Sequence, residues 1–155
     1  MKKSAIQAEG RCVCGAVRFE IDVPARWAWH DHSAASRLAQ GCAYATYVGS
    51  YKSRFRFLEG EDAITRYETD GATRGFCSRC GAPVTYERHR APTMINIPRA
   101  LFLSRTGRET RYHMHMDEAP DWLWAGAPLA PLKGYPGVLW EKPRRKARRG
   151  PEPMF

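Results

Sequence analysis

No apolar run in this 155-residue chain comes near the roughly 20 residues that a membrane-spanning helix needs. The basic start Met1-Lys2-Lys3 is followed by no apolar stretch, so no secretory signal is read there. There is no glycine-rich loop to cradle a nucleotide and no Gly-x-Ser-x-Gly elbow, which leaves kinase and serine-hydrolase chemistry without residues to rest on. Internal repeats are absent and helix signals are few. A broad basic surface is also missing, although the formal charge is +9. Six basic residues (Lys142, Arg144, Arg145, Lys146, Arg148 and Arg149) crowd one tail segment, and subtracting them leaves +3 for the rest. The charge belongs to the tail.

What the chain does have is five cysteines, four of them in two glycine-closed pairs. Cys77-Ser78-Arg79-Cys80-Gly81 places two thiols three positions apart, and the glycine lets the backbone fold back so that both sulfurs face one ion. Cys12-Val13-Cys14-Gly15 supplies a second half. Together they predict one structural zinc site of four thiolates, Cys12, Cys14, Cys77 and Cys80, tying the N-terminal segment to mid-chain. The competing reading, buried or disulfide-bonded cysteines, fits less well, because a Cys-x-Cys pair is poorly suited to a mutual disulfide. Metal thiolates point to a reducing compartment, and a cytoplasmic location is expected. Cys42 is left over, as a small core residue.

The length suits one domain with a core of its own. Residues 1–9 are polar and predict a loosely held arm. Residues 16–23 alternate strictly, with Val17, Phe19, Ile21 and Val23 against Arg18, Glu20 and Asp22, and so predict a half-buried strand that Pro24 ends. Residues 27–32 read as extended, and residues 33–38 as a short helix with Ser33 as N-cap and Gly41 beyond it. Further strands are expected over 43–48, 54–58, 64–68, 82–87, 94–97 and 112–116, with turns at Gly60-Glu61-Asp62 and Asp70-Gly71. From Ala119 onward proline and tryptophan dominate, which suits an irregular wrapping segment. Many short strands and few helix signals give a mostly-β fold.

His30-Asp31-His32 is the other cluster with chemistry in it. Two imidazoles two positions apart on an extended segment point to the same side and can share one ion. A third ligand would have to come from Asp31, Cys42, His113 or water, and the residues do not choose. The plainer alternative is packing histidines beside Trp27 and Trp29. In residues 112–116, His113 and His115 fall on one side of a strand. The basic, aromatic stretch from Tyr51 to Phe57 is read as a strand with an apolar face, in preference to a base-stacking surface. Lys142 to Arg149 is too charged to pack and reads as a disordered arm able to contact phosphates.

The ordered motifs Gly10-Arg11-Cys12-Val13-Cys14-Gly15-Ala16-Val17-Arg18-Phe19, Phe55-Arg56-Phe57-Leu58-Glu59-Gly60-Glu61 and Arg74-Gly75-Phe76-Cys77-Ser78-Arg79-Cys80-Gly81-Ala82-Pro83 resemble the glutathione-dependent formaldehyde-activating enzyme family. That family also includes the domain of centromere protein V. His113 and Ala119-Pro120-Asp121-Trp122 resemble its C-terminal signature. The resemblance runs from about Gly10 to Trp122 and implies a β-tent fold and zinc on the four cysteines; the domain itself is expected over 10–141, between the arm 1–9 and the tail 142–155. It further implies joining glutathione to formaldehyde, or more broadly carbon–sulfur lyase chemistry on a thiol or aldehyde adduct. Active members carry a second zinc on Cys-x-Cys-x-x-Cys, and the matching positions here are His30, His32 and Ala35. His30 and His32 are therefore the catalytic candidates, near Trp29 and Cys42, with a second Zn2+ either retained in altered form or lost. Two function classes follow: a zinc-dependent carbon–sulfur lyase with a His-modified site, or a non-catalytic zinc-binding module contacting nucleic acid through its tail.

Overall fold

Alternation dictates most of the backbone. Val17, Phe19 and Ile21 are fully buried, and the residues between them stay half-buried along a strand that the structure bounds at Arg18–Asp22. The computed structural model describes residues 6–69 and 71–123, together with the backbone of Ala130–Pro131 and Leu139–Trp140. By its contacts the chain divides into Met1–Asp121 and Trp122–Phe155. In the smaller unit, Ala130–Pro131 and Leu139–Trp140 form a two-strand antiparallel ribbon. The basic tail lies outside the described residues.

Among the described residues of the larger unit there are ten strands and one α-helix. They are β1 (Gln7–Arg11), β2 (Arg18–Asp22), β3 (Trp27–Asp31), α1 (Ala34–Gln40), β4 (Ala45–Tyr51), β5 (Phe55–Glu59), β6 (Ile64–Thr69), β7 (Ala72–Cys77), β8 (Pro83–Arg88), β9 (Met94–Pro98) and β10 (Tyr112–Met114). The protein is mostly β, as the sequence predicts. A three-stranded sheet runs β1-β2-β5, and a seven-stranded sheet runs β10-β3-β4-β9-β8-β7-β6. Neighbours are antiparallel except β10, which lies parallel to β3 with His113 opposite His30.

Residues 7–9, expected in a loosely held arm, belong instead to β1. Gln7 to Arg11 pair with β2, and Ala8 is fully buried, because every second residue of this polar stretch is small enough to lie against the core. Gly10 makes this contact close: a Cβ there would meet the Phe19 ring at 2.3 Å. Within the larger unit the sequence reading also misses β7, since Arg74 and Gly75 break its apolar pattern, and the Ala130–Pro131 and Leu139–Trp140 ribbon falls in the stretch expected to be irregular.

Two cores lie on opposite faces of the larger sheet, as side chains one residue apart on a strand must. Ala28, Val48 and Ile97 join Phe19 and Ile21 in the first. Trp29 and Tyr47 centre the second, with Trp27, Cys42 and Tyr86 packed against it. Phe55 and Phe57 turn inward to the first core. Arg56 between them is held by Glu20 at 2.8 Å and Asp22 at 2.6 Å, and this partner keeps the Asp22 carboxyl below its usual range. The strand is therefore an ordinary half-buried one with a neutralised outer face.

Candidate functional site

The two cysteine knuckles have the same backbone wiring. Cys12 N–H donates to Val17 O (3.1 Å) and Gly15 N–H to Cys12 O (3.2 Å); Cys77 N–H donates to Ala82 O (2.9 Å) and Gly81 N–H to Cys77 O (2.7 Å). Each loop turns through a left-handed glycine, Gly15 at φ 77° and Gly81 at φ 75°, a conformation that other residues adopt only under strain. The four sulfurs converge, all within 4.8 Å of one another. Cys12 to Cys14 is 3.5 Å and Cys14 to Cys77 is 3.9 Å. These bracket the ~3.8 Å edge of a tetrahedron with metal–sulfur bonds of about 2.3 Å, so the residues fit a tetrahedral metal ion.

Electrostatics favour the same conclusion. The backbone amides of Cys14 and Ala82 pull the Cys80 thiol down to about 6. Cys14 is pulled down by the Ala16 amide, but the neighbouring thiols, Cys12 foremost, outweigh this and push it up to about 11. Sulfurs this close cannot all ionise unless a cation sits among them. Cys12 and Cys77 are buried, while Cys14 is exposed and Cys80 half-buried. The centre sits at the rim of the first core and joins the start of the chain to β7.

The histidines form a separate cluster. His30 and His32 share a face of β3, and β10 brings His113 between them. His32 N–H donates to Met114 O at 2.9 Å, which fixes β10 in register. His32 Nε2 and His113 Nδ1 lie 2.9 Å apart, and His30 Nδ1 lies 2.9 Å from Thr46 Oγ1. The Tyr44 ring is 4.9 Å from both His30 and His32. Burial first, and then the neighbouring imidazole charges, hold His30 and His32 below the usual histidine range. His32 is fully buried, and its Nδ1 has no hydrogen-bond partner among the described residues.

Of the third-ligand candidates, only His113 reaches these two. Asp31 points to the opposite face and is committed there, accepting from Ser33 N–H at 3.0 Å and Ser36 Oγ at 3.0 Å. Cys42 packs with Trp29 in the second core, where burial raises its thiol pKa. Trp29 likewise faces away, so the expected pocket shared by His30, His32, Trp29 and Cys42 is split between two faces of β3. His115 does not continue the strand: at φ 58° it leaves β10 and meets Glu118 at 3.5 Å. Ala35 is exposed on the first turn of α1. Among the described residues, the four cysteines are the one group of three or more such side chains whose ligand atoms all lie within 4.8 Å.

Sequence reasoning missed a buried network beneath α1. Ser36 Oγ donates to Asp31 and accepts from Arg74 Nη2 at 3.3 Å, while Arg74 Nη1 reaches Tyr47 Oη at 3.0 Å. Arg74 stacks over Tyr86 at 4.0 Å. An arginine within an otherwise buried strand was the available signal.

These features define a class first: a small, mostly-β domain whose four-cysteine cluster, able to hold a metal ion, joins the start of the chain to mid-chain. The chain belongs to the glutathione-dependent formaldehyde-activating enzyme family, whose model matches residues 7–118. A Halomonas elongata protein named, provisionally, as a glutathione-dependent formaldehyde-activating enzyme is 29% identical over 123 residues, 74% of this chain and 78% of that protein. A Rhodobacter sphaeroides crystal structure shares the fold, with TM-score 0.54 and 24% identity, over 62% of this chain and 88% of its own. Among the described residues, no helix is long and apolar enough to cross a membrane.

Proposed function

We propose that this protein is a zinc-binding carbon–sulfur lyase acting on adducts of glutathione, or a similar thiol, with a small aldehyde. In this reading zinc on Cys12, Cys14, Cys77 and Cys80 is structural, because four protein thiolates close its coordination sphere and leave no position for substrate. Reaction would fall to the histidine cluster. The observation that carries this is the clustering of His113 with His30 and His32; His30 and His32 are held below the usual histidine range and stand at positions that match the family's second metal site.

In the forward direction the thiol sulfur attacks the aldehyde carbon, and the carbonyl π pair moves onto oxygen. The thiol proton passes to an imidazole and then to that oxygen, giving a hydroxymethyl thioether; the reverse sequence breaks the carbon–sulfur bond. A lowered pKa keeps His30 and His32 unprotonated near neutrality, as a base must be. His30 Nδ1 is engaged by Thr46, which leaves Nε2 to take the proton. His113, bonded to His32, orients the second ring.

The exposed Ala35, offering no third ligand, favours a second reading: a non-catalytic zinc-binding module, with the basic tail on nucleic acid. Exchange NMR of glutathione with formaldehyde separates the two. The lyase accelerates exchange over the uncatalysed mixture, and the His30→Gln, His32→Gln variant loses about 100-fold or more while keeping its zinc content. No acceleration by the parent protein leaves the binding module. Acceleration that survives the double substitution removes the histidines from the chemistry. A metal count of one zinc per chain accompanies either reading, and two per chain would return a metal to the histidine site.

A further inference from the structure

We propose that the cavity on the tryptophan side of β3 is a binding site for a small aromatic oxyanion, a flat ring bearing a carboxylate or phosphoryl group. The observations are independent of the lyase reading, since this cavity lies on the face of β3 opposite His30 and His32.

Its volume is about 520 Å³, within the range of roughly 300–1,000 Å³ typical of small-molecule sites. Among the described residues three cations line it, Arg26, Arg88 and Arg108, and no carboxylate does. On the three-stranded sheet, by contrast, Arg18 is answered by Glu9 and Glu59, and Arg56 by Glu20 and Asp22. None of the cavity's three guanidiniums has an acidic partner among the described residues. Guanidinium cannot shed its proton to relieve that charge, so a set of three gathered around a concavity favours an anion.

The orientation of the groups sharpens this. Arg88 lies 5.7 Å from the Trp29 ring, and its Nε is buried without a hydrogen-bond partner among the described residues. Arg108 spends Nε on Ala25 O at 3.0 Å, which fixes its fork and leaves the terminal nitrogens for an oxyanion. Arg26 lies 6.0 Å from the Trp27 ring. The two indoles meet edge to face, 6.4 Å between centroids at 77°, and supply an apolar, aromatic corner to the wall. Tyr112 and Met114 on β10 complete the lining. Bidentate guanidinium contacts recognise the anionic end, and the aromatic wall takes the ring. A bare inorganic anion would leave that wall uncovered.

Calorimetric titration of the full chain with phenyl phosphate and, separately, benzoate tests the site. Saturable binding of either probe is expected, and the stronger of the two identifies which oxyanion fits. Inorganic phosphate should bind at least about ten-fold more weakly, and benzyl alcohol not at all over the same range. Arg88→Met should weaken the aromatic probe about ten-fold or more. Because Arg88 is half-buried, the surface change Arg108→Gln serves as the second variant, with thermal midpoint and metal content unchanged. The site is refuted if neither probe binds, if benzyl alcohol competes equally, if inorganic phosphate matches phenyl phosphate, or if probe affinity survives both arginine substitutions.

Discussion

His32 shows how one residue's surroundings set its chemistry. It is fully buried, bonded through Nε2 to His113, and held below its ordinary value of 6.5 by burial, as is the half-buried His30. The sign of the consequence follows from proton counts. In the window between 6.5 and the lowered folded value, the unfolded chain holds more protons, so stability rises with pH there. The stabilisation is present above 6.5 and is lost as pH falls through that window. Thermal midpoints taken across mildly acidic pH should show this descending limb, and the His30→Gln, His32→Gln variant should flatten it. Identical slopes in parent and variant would assign the limb to other groups.

At the scale of the element, α1 has only seven residues and depends on its ends and its underside. Ser33 caps it by accepting from Ser36 N–H at 3.3 Å, and Gly41 closes it in the left-handed region at φ 60°. Beneath it, Ser36 is fully buried and links Asp31 on β3 to Arg74 on β7. Ser36→Ala improves helix propensity, so any loss must come from the network. Removing the hydroxyl strands a buried carboxylate oxygen and a guanidinium nitrogen, which should cost roughly 1–3 kcal/mol. Urea denaturation measures this. A neutral or stabilising result would mean that water replaces the hydroxyl without cost.

At the scale of the whole molecule, the four-thiol centre is the long-range staple. It joins loops 63 positions apart, Cys14 to Cys77, and a metal held by residues that the unfolded chain does not bring together adds its binding free energy to folding. Chelation should therefore lower the thermal midpoint of the parent protein sharply. Cys77→Ser should start from the lowered midpoint and respond little to chelator. A parent protein that keeps its midpoint after complete metal removal would show that the two cores hold the fold unaided.

The sequence by itself determined the fold class, the four-cysteine set and the helix cap, since each is written in local spacing: period-two apolar residues, a glycine after each knuckle, and Ser33 ahead of a helical turn. It also marked His30 and His32 as a pair on one face. The tertiary structure decided what could not be local. It placed β1 against β2 although residues 7–9 are polar, because an edge strand needs only small or apolar side chains on one face. It made β7 a strand despite Arg74, whose charge is answered by hydroxyls from α1 and β4. It brought His113, and not Asp31 or Cys42, beside the two histidines, because strand pleating sends alternate side chains to opposite faces and β10 returns an imidazole to the histidine side. The same pleat gathered three arginines around two tryptophans, from segments 82 residues apart in the chain.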